Sequence, residues 1–590
     1  MKSVTNIWCA KPFVLSLLVG AVCSSTPAFA DVDPSQTFPA LGAPADPKVD
    51  VSWNRFYDVD GLASILTSLE DAYPELCELV EVGTSFEGRT ILALEVSNKK
   101  TGDPRQKPAM YIDGNIHGNE VQAGEAVAYT AWYLLEMYGE IDRVTSLVDD
   151  RTFYLLPTIN PDGRDHWFHD PSNPHLFRGG VVPVDNDLDG RFDEDGPDDI
   201  DGDGQITSMR VRDSWGRLKP DSRHGDNLLH NVERDERGEY RRLGWEGFDN
   251  DGDGRINEDG PGGFDPNRNW PWSWQPEGIQ FGAHHYPFSL PNTRAVGDFV
   301  KARPNIAGTQ SYHNYGGMIL RGPGQKSGRL APEDEALHEF IASRGEEMIP
   351  FYDNYVVWDD LYTVWGGEFE WYYGGLGIIS FTNELFSTKN YYRRDLAEGK
   401  EGRRERLDFV EQLLGNQGRT EWKEVPHPDF GTVEIGGMPK NFGRVPPSFL
   451  LEEELHRNMA FTLYHAESMP LLREGETSVE SLGGGVYRLR VGVENHGIIP
   501  TRTAHDVNES ITPRNIVVVS GVSVIASGRV GEPLRDDVQW QGSRPERLLI
   551  ESFPGLSQTF VEFLVEGPGR ASVEVVAERG GRFKTQVEIR

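Results

Sequence analysis

The chain has 590 residues, a formal net charge of −35, and 26% charged against 37% hydrophobic residues. That length exceeds a single hydrophobic core, and the 14 Trp and 20 Tyr exclude an intrinsically disordered chain. The acidity excludes nucleic acid and anionic membrane as general partners, because both repel such a surface.

Residues 1–30 read as a cleaved export signal. Lys2 and Lys11 flank the start, residues 13–22 form an apolar run too short to span a bilayer, and Ala28-Phe29-Ala30 fits a small-x-small cleavage site. A secreted or periplasmic protein without an integral membrane segment is therefore expected. Cys9 and Cys23 leave with the signal, so Cys77 stands alone, predicts no intrachain disulfide, and reads as ordinary packing. Residues 31–50, rich in Pro and Ala, predict an extended arm.

Residues 51–470 carry an α/β rhythm. Leu62, Ile65, Leu66 and Leu69 recur at helical spacing, with Asp60 as the expected N-cap. "CELVEVGTSFEGRTILALEVSN" predicts two strands joined by a Gly turn, and "PAMYIDGNI" a third. A long amphipathic helix follows at "EVQAGEAVAYTAWYLLEMYG", then a buried strand and turn at "RTFYLLPTINPDG". Such alternation predicts a mixed, largely parallel central sheet flanked by helices. Functional groups gather at the carboxyl ends of strands in these sheets, which is where His117 falls.

Between residues 182 and 263 the rhythm breaks into an insertion, with ten Asp or Glu between Asp185 and Asp203. It resumes after Phe264, with strands ending at "SYHNYG" and "FTNELF" and a helix at "PSFLLEEELHRNMAFTLYHAESM". From about 475 to 590, short alternating segments predict an all-β, sandwich-like domain.

The motif "HGNE" sets His117 and Glu120 three residues apart. Taken alone this is a weak signal, since catalytic zinc needs three protein ligands, often two His and one Glu, with a position left open. His313 in "SYHNYGG" follows a strand of the same unit and can supply the third. Glu384 in "FTNEL" ends another apolar strand, where a general base is needed.

These segments resemble the zinc carboxypeptidases of the carboxypeptidase A type over most of residues 50–415, interrupted by the insertion. "HGNE" matches the family's zinc pair and "NPDG" (residues 160–163) its turn after the next strand. "DPNRNWP" matches its Asn-Arg substrate clamp and "SYHNYGG" its third ligand, while "YTVWGGEFEWYYGGLGIISFTNEL" spans its mobile tyrosine to its catalytic glutamate. The resemblance implies that His117, Glu120 and His313 bind one zinc ion. It implies that Glu384 takes the proton of the attacking water and passes it to the leaving amine. Asn267 and Arg268 would hold the substrate's terminal carboxylate under Tyr362. Arg178 in "HLFRGG", where the family's aromatic-Arg motif is only partly present, would stabilise the oxyanion. The implied function is a secreted metallocarboxypeptidase acting on peptide or protein C-termini. Two alternatives stand beside it: a zinc peptidase of peptidoglycan stem peptides, and a non-catalytic, calcium-dependent binding protein on a relic peptidase fold. The family sets its side-chain preference at the stretch that is here Gly367, Glu368 and Phe369. Phe369 points to an apolar terminal residue and Glu368 to a basic one. Oligomeric state stays open.

The insertion contains three DxDxDG loops, in which alternate carboxylates can converge on a cation while the sixth-position Gly permits the turn. They are Asp185-Asp187-Asp189, Asp199-Asp201-Asp203 and Asp249-Asp251-Asp253. None has Glu at the twelfth position, where Gly196, Arg210 and Gly260 stand, so calcium loops of an extracellular type are expected. His166, His169, His224, His230 and the His284-His285 pair read as loop or surface histidines.

Overall fold

The computed structural model describes residues 38–186, 188–531 and 537–590; residues 1–30, where an export signal is expected, and Asp187 lie outside the described residues. Residues from Pro47 onward form one compact unit. Among the described residues no helix is long and apolar enough to cross a membrane.

The first helix, Val59–Ala72, buries Leu62, Ile65, Leu66 and Leu69, as their spacing predicts. Its cap is Asp58 rather than Asp60. Asp58 is extended and its carboxylate accepts the Gly61 N–H at 2.8 Å, whereas Asp60 lies inside the first turn, facing the helix's positive end.

Strands β1 (Cys77–Thr84), β2 (Thr90–Val96), β3 (Ala109–Gly114) and β4 (Thr152–Leu156) begin the central sheet. The insertion then contributes β5 (Ser208–Arg212), β6 (Leu218–Asp221), β7 (Gly225–Asn231) and β8 (Tyr240–Trp245). Strands β9 (Ile306–Asn314), β10 (Met318–Arg321), β11 (Asp353–Val356) and β12 (Ile379–Leu385) return to the central sheet, whose order is β1-β2-β4-β3-β9-β12-β10-β11. Its middle, β4-β3-β9-β12, is parallel; the pairs β1-β2, β2-β4 and β12-β10 are antiparallel, and β10-β11 is parallel. Side chains alternate across β3: Met110 and Ile112 enter a core with Leu62, Val127 and Leu463, and Tyr111 enters one with Tyr154, Phe299 and Tyr372.

The helix Gln122–Glu136 is not amphipathic, because Gln122 through Leu135 are all buried. It packs against the sheet on one side and the helix Ser448–Ser468 on another, so no face is left for water. Its polar side chains find partners inside the protein, though Gln122 Nε2 and Glu125 Oε2 stay unpaired among the described residues. Glu125 accepts from Arg164 at 2.6 Å, Thr130 donates to the Ala126 carbonyl, and Gln122 accepts from Asn314. The "NPDG" segment, expected as a turn, instead opens the helix Pro161–His169, with Asn160 as N-cap and Pro161 at its start.

The insertion is more than an acidic loop. Its strands join β13 (Thr420–His427) and β14 (Gly431–Gly437) in an antiparallel sheet of order β13-β14-β5-β8-β6-β7. Arg210 is buried there, bonded to Glu434 at 2.7 Å and set between the rings of Tyr240 and Trp422 at 4.4 and 3.7 Å. The short β5 segment "SMRVR" escapes a reading by alternation because one of its two partner strands, β14, lies some two hundred residues away.

Beyond the helix Ser448–Ser468, a five-stranded and a four-stranded sheet close on one core, with Leu489, Val491 and Phe563 from one and Val517, Val573 and Val575 from the other. This is the expected sandwich. It grips the segment just before β12: Thr503 and Arg579 donate to the Gly377 carbonyl at 3.0 and 3.1 Å. Asp334 in turn accepts the N–H groups of Ala504 and His505.

Candidate metal centre

Three neighbouring parallel strands end together. Beyond β3 lie His117 and Glu120, β9 carries His313, and β12 carries Glu384, which stands beside His313 in the strand register. The turn after β3 is built by its neighbours. Asn115 donates to the carbonyls of His117 and Gly118 and accepts from the fully buried Arg164. Gly118 is required within the motif, since a Cβ there would come within 2.3 Å of the Gly163 backbone.

His117, Glu120 and His313 are each at most 2% exposed. Their ligand atoms lie within 4.8 Å of one another. Glu120 Oε1 is 3.0 Å from His117 Nδ1, Glu120 Oε2 is 3.0 Å from His313 Nδ1, and the two Nδ1 atoms are 3.2 Å apart. Each imidazole turns its other nitrogen outward to a carboxylate. His117 Nε2 bonds Asp265 Oδ1 at 2.9 Å and His313 Nε2 bonds Glu368 Oε1 at 2.7 Å. With the Nε2 protons held there, both inward Nδ1 lone pairs and the Glu120 carboxylate converge as acceptors, and a cation resolves their repulsion. Two imidazoles and one carboxylate form the donor set of catalytic zinc, so these residues fit that ion.

The surroundings are strongly charged. Glu120 also accepts from Arg178 at 2.7 Å, from Arg444 at 2.9 Å and from the Asn314 N–H. Burial alone would raise its carboxyl; His117, His313 and Arg178 hold it well below the usual range. Burial, followed by the charge of Glu120, raises the carboxyl of Glu384. The Glu384 side chain is half-buried and makes no hydrogen bond or ion pair among the described residues.

The structure brings most of the expected residues to this place. Arg178 spans Glu120 and Asp265, the latter at 3.3 Å. Asn267 is buried, with its side-chain Oδ1 accepting the Glu368 N–H at 2.9 Å and its side-chain NH₂ facing His313. Arg268 donates to the Asn267 carbonyl. Tyr362 is 59% exposed, at the end of a turn, yet near enough to act on Arg178 electrostatically. Phe369 lies in an apolar cluster with Leu320, Val357 and Val364, whereas Glu368 is fully buried and engaged with His313. Among the described residues, no hydrogen bond or ion pair joins the side chains of Asp185, Asp189, Asp199, Asp201, Asp203, Asp249, Asp251 or Asp253 to this centre.

Asp265, Arg444 and the orienting role of Glu368 escaped the sequence reading. Asp265 had a signal, being the residue that opens "DPNRNW" and caps the turn bearing Asn267; Arg444 had none. The histidines also need correction. His224 and His230 are buried rather than superficial, His224 between Asp408 and Glu411 and His230 on Asp221, because β6 and β7 fold them inward. His166 is half-buried against Asp170 and Glu87, and His169 reaches Asp58.

The profile of the zinc carboxypeptidase family matches residues 62–192 and 233–398, about half of the chain, with the gap falling inside the insertion. A domain family of unknown function matches residues 472–588. Carboxypeptidase B of Astacus astacus is 38% identical over 120 residues, 20% of this chain and 37% of that protein. The Saccharomyces cerevisiae protein named inactive metallocarboxypeptidase ECM14 is 34% identical over 122 residues, 20% of this chain and 28% of its own length. The match thus spans about a third of these curated relatives. Among solved structures, thrombin activatable fibrinolysis inhibitor aligns with a TM-score of 0.44 at 17% identity, covering 71% of this chain and 76% of that one. Carboxypeptidase A of Helicoverpa armigera aligns at 0.40 and 17%, covering 70% and 75%. The chain belongs to the zinc carboxypeptidase family.

Proposed function

We propose that the protein is an active, exported metallocarboxypeptidase that removes single residues from peptide C-termini. The observation that carries this reading is Glu384, a carboxylate without a partner among the described residues and one strand from His313, beside two histidines and a glutamate placed so that they could hold a cation. Zinc held by His117, Glu120 and His313 supplies Lewis acidity and makes water a better nucleophile at neutral pH.

The chain's own groups divide the remaining work. Glu384 takes the proton of the attacking water and returns it to the departing amine, and its raised pKa suits that exchange. Asp265 and Glu368 hold the imidazoles in one tautomer and orientation. Arg178 is in place to offset charge on the scissile oxygen. Arg268 offers a planar donor fork for a terminal carboxylate, Asn267 fixes the turn beside it, and Tyr362 is exposed enough to close over a bound chain end. Because Glu368 is spent on His313 while Phe369 is packed among aliphatics, an apolar or aromatic terminal side chain is preferred over a basic one. The leader-like residues 1–30 support action outside the cytosol.

Mass spectrometry of a mixed peptide library tests this. Zinc-loaded protein should shorten peptides by one residue at a time, apolar termini first, and Glu384→Gln should not. Intact peptides with both proteins, at full zinc occupancy, would favour the relic fold that the name of the yeast relative suggests.

A further inference from the structure

Residues 185–197 and 249–261 are two copies of one pattern, DNDLDGRFDEDGP and DNDGDGRINEDGP. Each copy closes on its first Asp: the Gly190 N–H donates to Asp185 and the Gly254 N–H to Asp249, both at 3.0 Å. Those glycines have φ of +98° and +91°, a region costly for other residues. The copies then meet. Asp195 and Asp259 pair as an antiparallel bridge, each N–H donating to the other's carbonyl at 3.2 Å.

The tenth residues of the two copies, Glu194 and Glu258, are the anomaly. All four of their carboxylate oxygens are shut off from solvent, and none has a hydrogen-bond partner among the described residues. Asp259 is 1% exposed, and its Oδ2 is orphaned as well. Oxygens of Asp189, Glu194 and Asp251 lie within 4.8 Å of one another, as do those of Asp195, Asp251 and Glu258, so Asp251 belongs to both groups. The arginines of the repeat do not neutralise this charge. Arg191 and Arg255 stay exposed and, among the described residues, pair with Asp189 and Asp253, at 3.9 and 3.6 Å, rather than with either glutamate. Burial, then the facing carboxylates of Asp259 and Asp195, push the carboxyls of Glu194 and Glu258 up to about 7. Buried carboxylates with no donor are strongly unfavourable unless something cationic joins them.

We propose that the paired loops are a divalent-cation site, with calcium as the favoured ion and Asp189, Glu194, Asp195, Asp251 and Glu258 as its carboxylates. The all-oxygen set selects a hard cation, and the number of carboxylates suits calcium better than magnesium, which keeps several of its waters. The twelfth-position glutamate of the sequence template is replaced by one at the tenth, supplied once by each copy. The third loop lies outside the proposal. Its Asp199, Asp201 and Asp203 also converge, but Asp201 already pairs with Lys423 at 2.9 Å, so the protein supplies that cation itself. The paired site bears on the metal centre through the chain. Arg178 precedes the first copy by seven residues and Asp265 follows the second by four. Between them the backbones of Gly180 and Gly262 run in contact, so a cation closing the loops fixes the base from which both side chains project.

The test uses the full chain, freed of calcium and kept zinc-loaded, in equilibrium dialysis and calorimetry with calcium alone. Saturable uptake at or below millimolar calcium is expected, with a rise in Tm. The Glu194→Gln/Glu258→Gln double variant should lose at least tenfold in affinity, and Asp201→Asn should bind like the wild type. Should the double variant fail to fold by circular dichroism, Asp251→Asn replaces it with the same expectation. Absence of saturable uptake up to on the order of 10 mM overturns the site. So does undiminished binding by the glutamate variants, or loss of binding in Asp201→Asn alone. Magnesium binding as tight as calcium overturns the choice of ion.

Discussion

The centre around His313 and the paired acidic loops both crowd anionic oxygens together, but they are braced in different ways. At the centre each ligand is held from behind. Asp265 grips His117, Glu368 grips His313, and two arginines with a backbone N–H grip Glu120. Those braces come from strands and loops far apart in sequence, so the geometry is fixed by the whole fold. In the loops the carboxylates come from a short repeat used twice, and Glu194 and Glu258 have no donor behind them among the described residues. The first arrangement keeps its shape whatever it binds; the second depends on what it binds.

Removing the base while leaving the braces alone sharpens that contrast most. Glu384→Gln should lower kcat by about 10²–10⁴-fold with the zinc content by elemental analysis unchanged, because Glu384 is not among the three converging ligands. Loss of zinc along with activity would place Glu384 in the braced set instead. Breaking the support of the turn should be next in size. Arg164 and Glu125 form a fully buried pair, and Arg164 also holds Asn115 and the Val121 carbonyl. Arg164→Ala should cost about 3–5 kcal/mol of stability in urea unfolding, since Glu125 is then left buried and charged. A cost near zero would mean that the β3 turn is held by the zinc ligands alone.

A smaller effect is expected behind a ligand. Asp265→Asn keeps the shape but weakens the hold on His117, and zinc affinity should fall about 10–100-fold in a chelator competition. Unchanged affinity would mean that the outward bond of His117 contributes nothing to the preorganisation of the centre.

Which parts were legible in the sequence follows the same division. His117, Glu120, His313 and Glu384 could be found because each sits in a short motif at the end of an apolar strand, and strand ends are where parallel sheets collect their chemistry. Asp265, Glu368 and Arg444 act by tertiary contact at no fixed spacing; Arg444 reaches the Asn314 carbonyl across 130 positions of chain. The buried faces of Gln122–Glu136 were misread because Gln122, Glu125 and Thr130 look like a polar face until their internal partners are known. In the insertion the glycines and alternating Asp residues showed the loops, but a template ending in a twelfth-position Glu pointed past Glu194 and Glu258. The sheet beside them was hidden because β5 is completed by β14.

Within the insertion itself, Asp221 offers the finest comparison, being an acidic residue as buried as those of the paired loops but fully surrounded by donors. Its side chain has no exposed surface; it accepts from Arg404 and His230, from the N–H groups of Arg223 and His224, and lies 3.4 Å from Lys400. Burial would raise its carboxyl, yet Arg404, the Arg223 N–H and His230 hold it well below the usual range. A depressed carboxyl stabilises the fold above its unfolded value, about 3.9 for Asp, and that contribution drains away as pH falls toward the folded value. Asp221→Asn should therefore have a lower Tm than the wild type at pH 7, and the gap should narrow on acidification below about pH 4. A gap that stays constant with pH would mean that the donors hold Asp221 by shape alone and would remove the contrast with Glu194, whose carboxyl moves in the opposite direction in the same insertion.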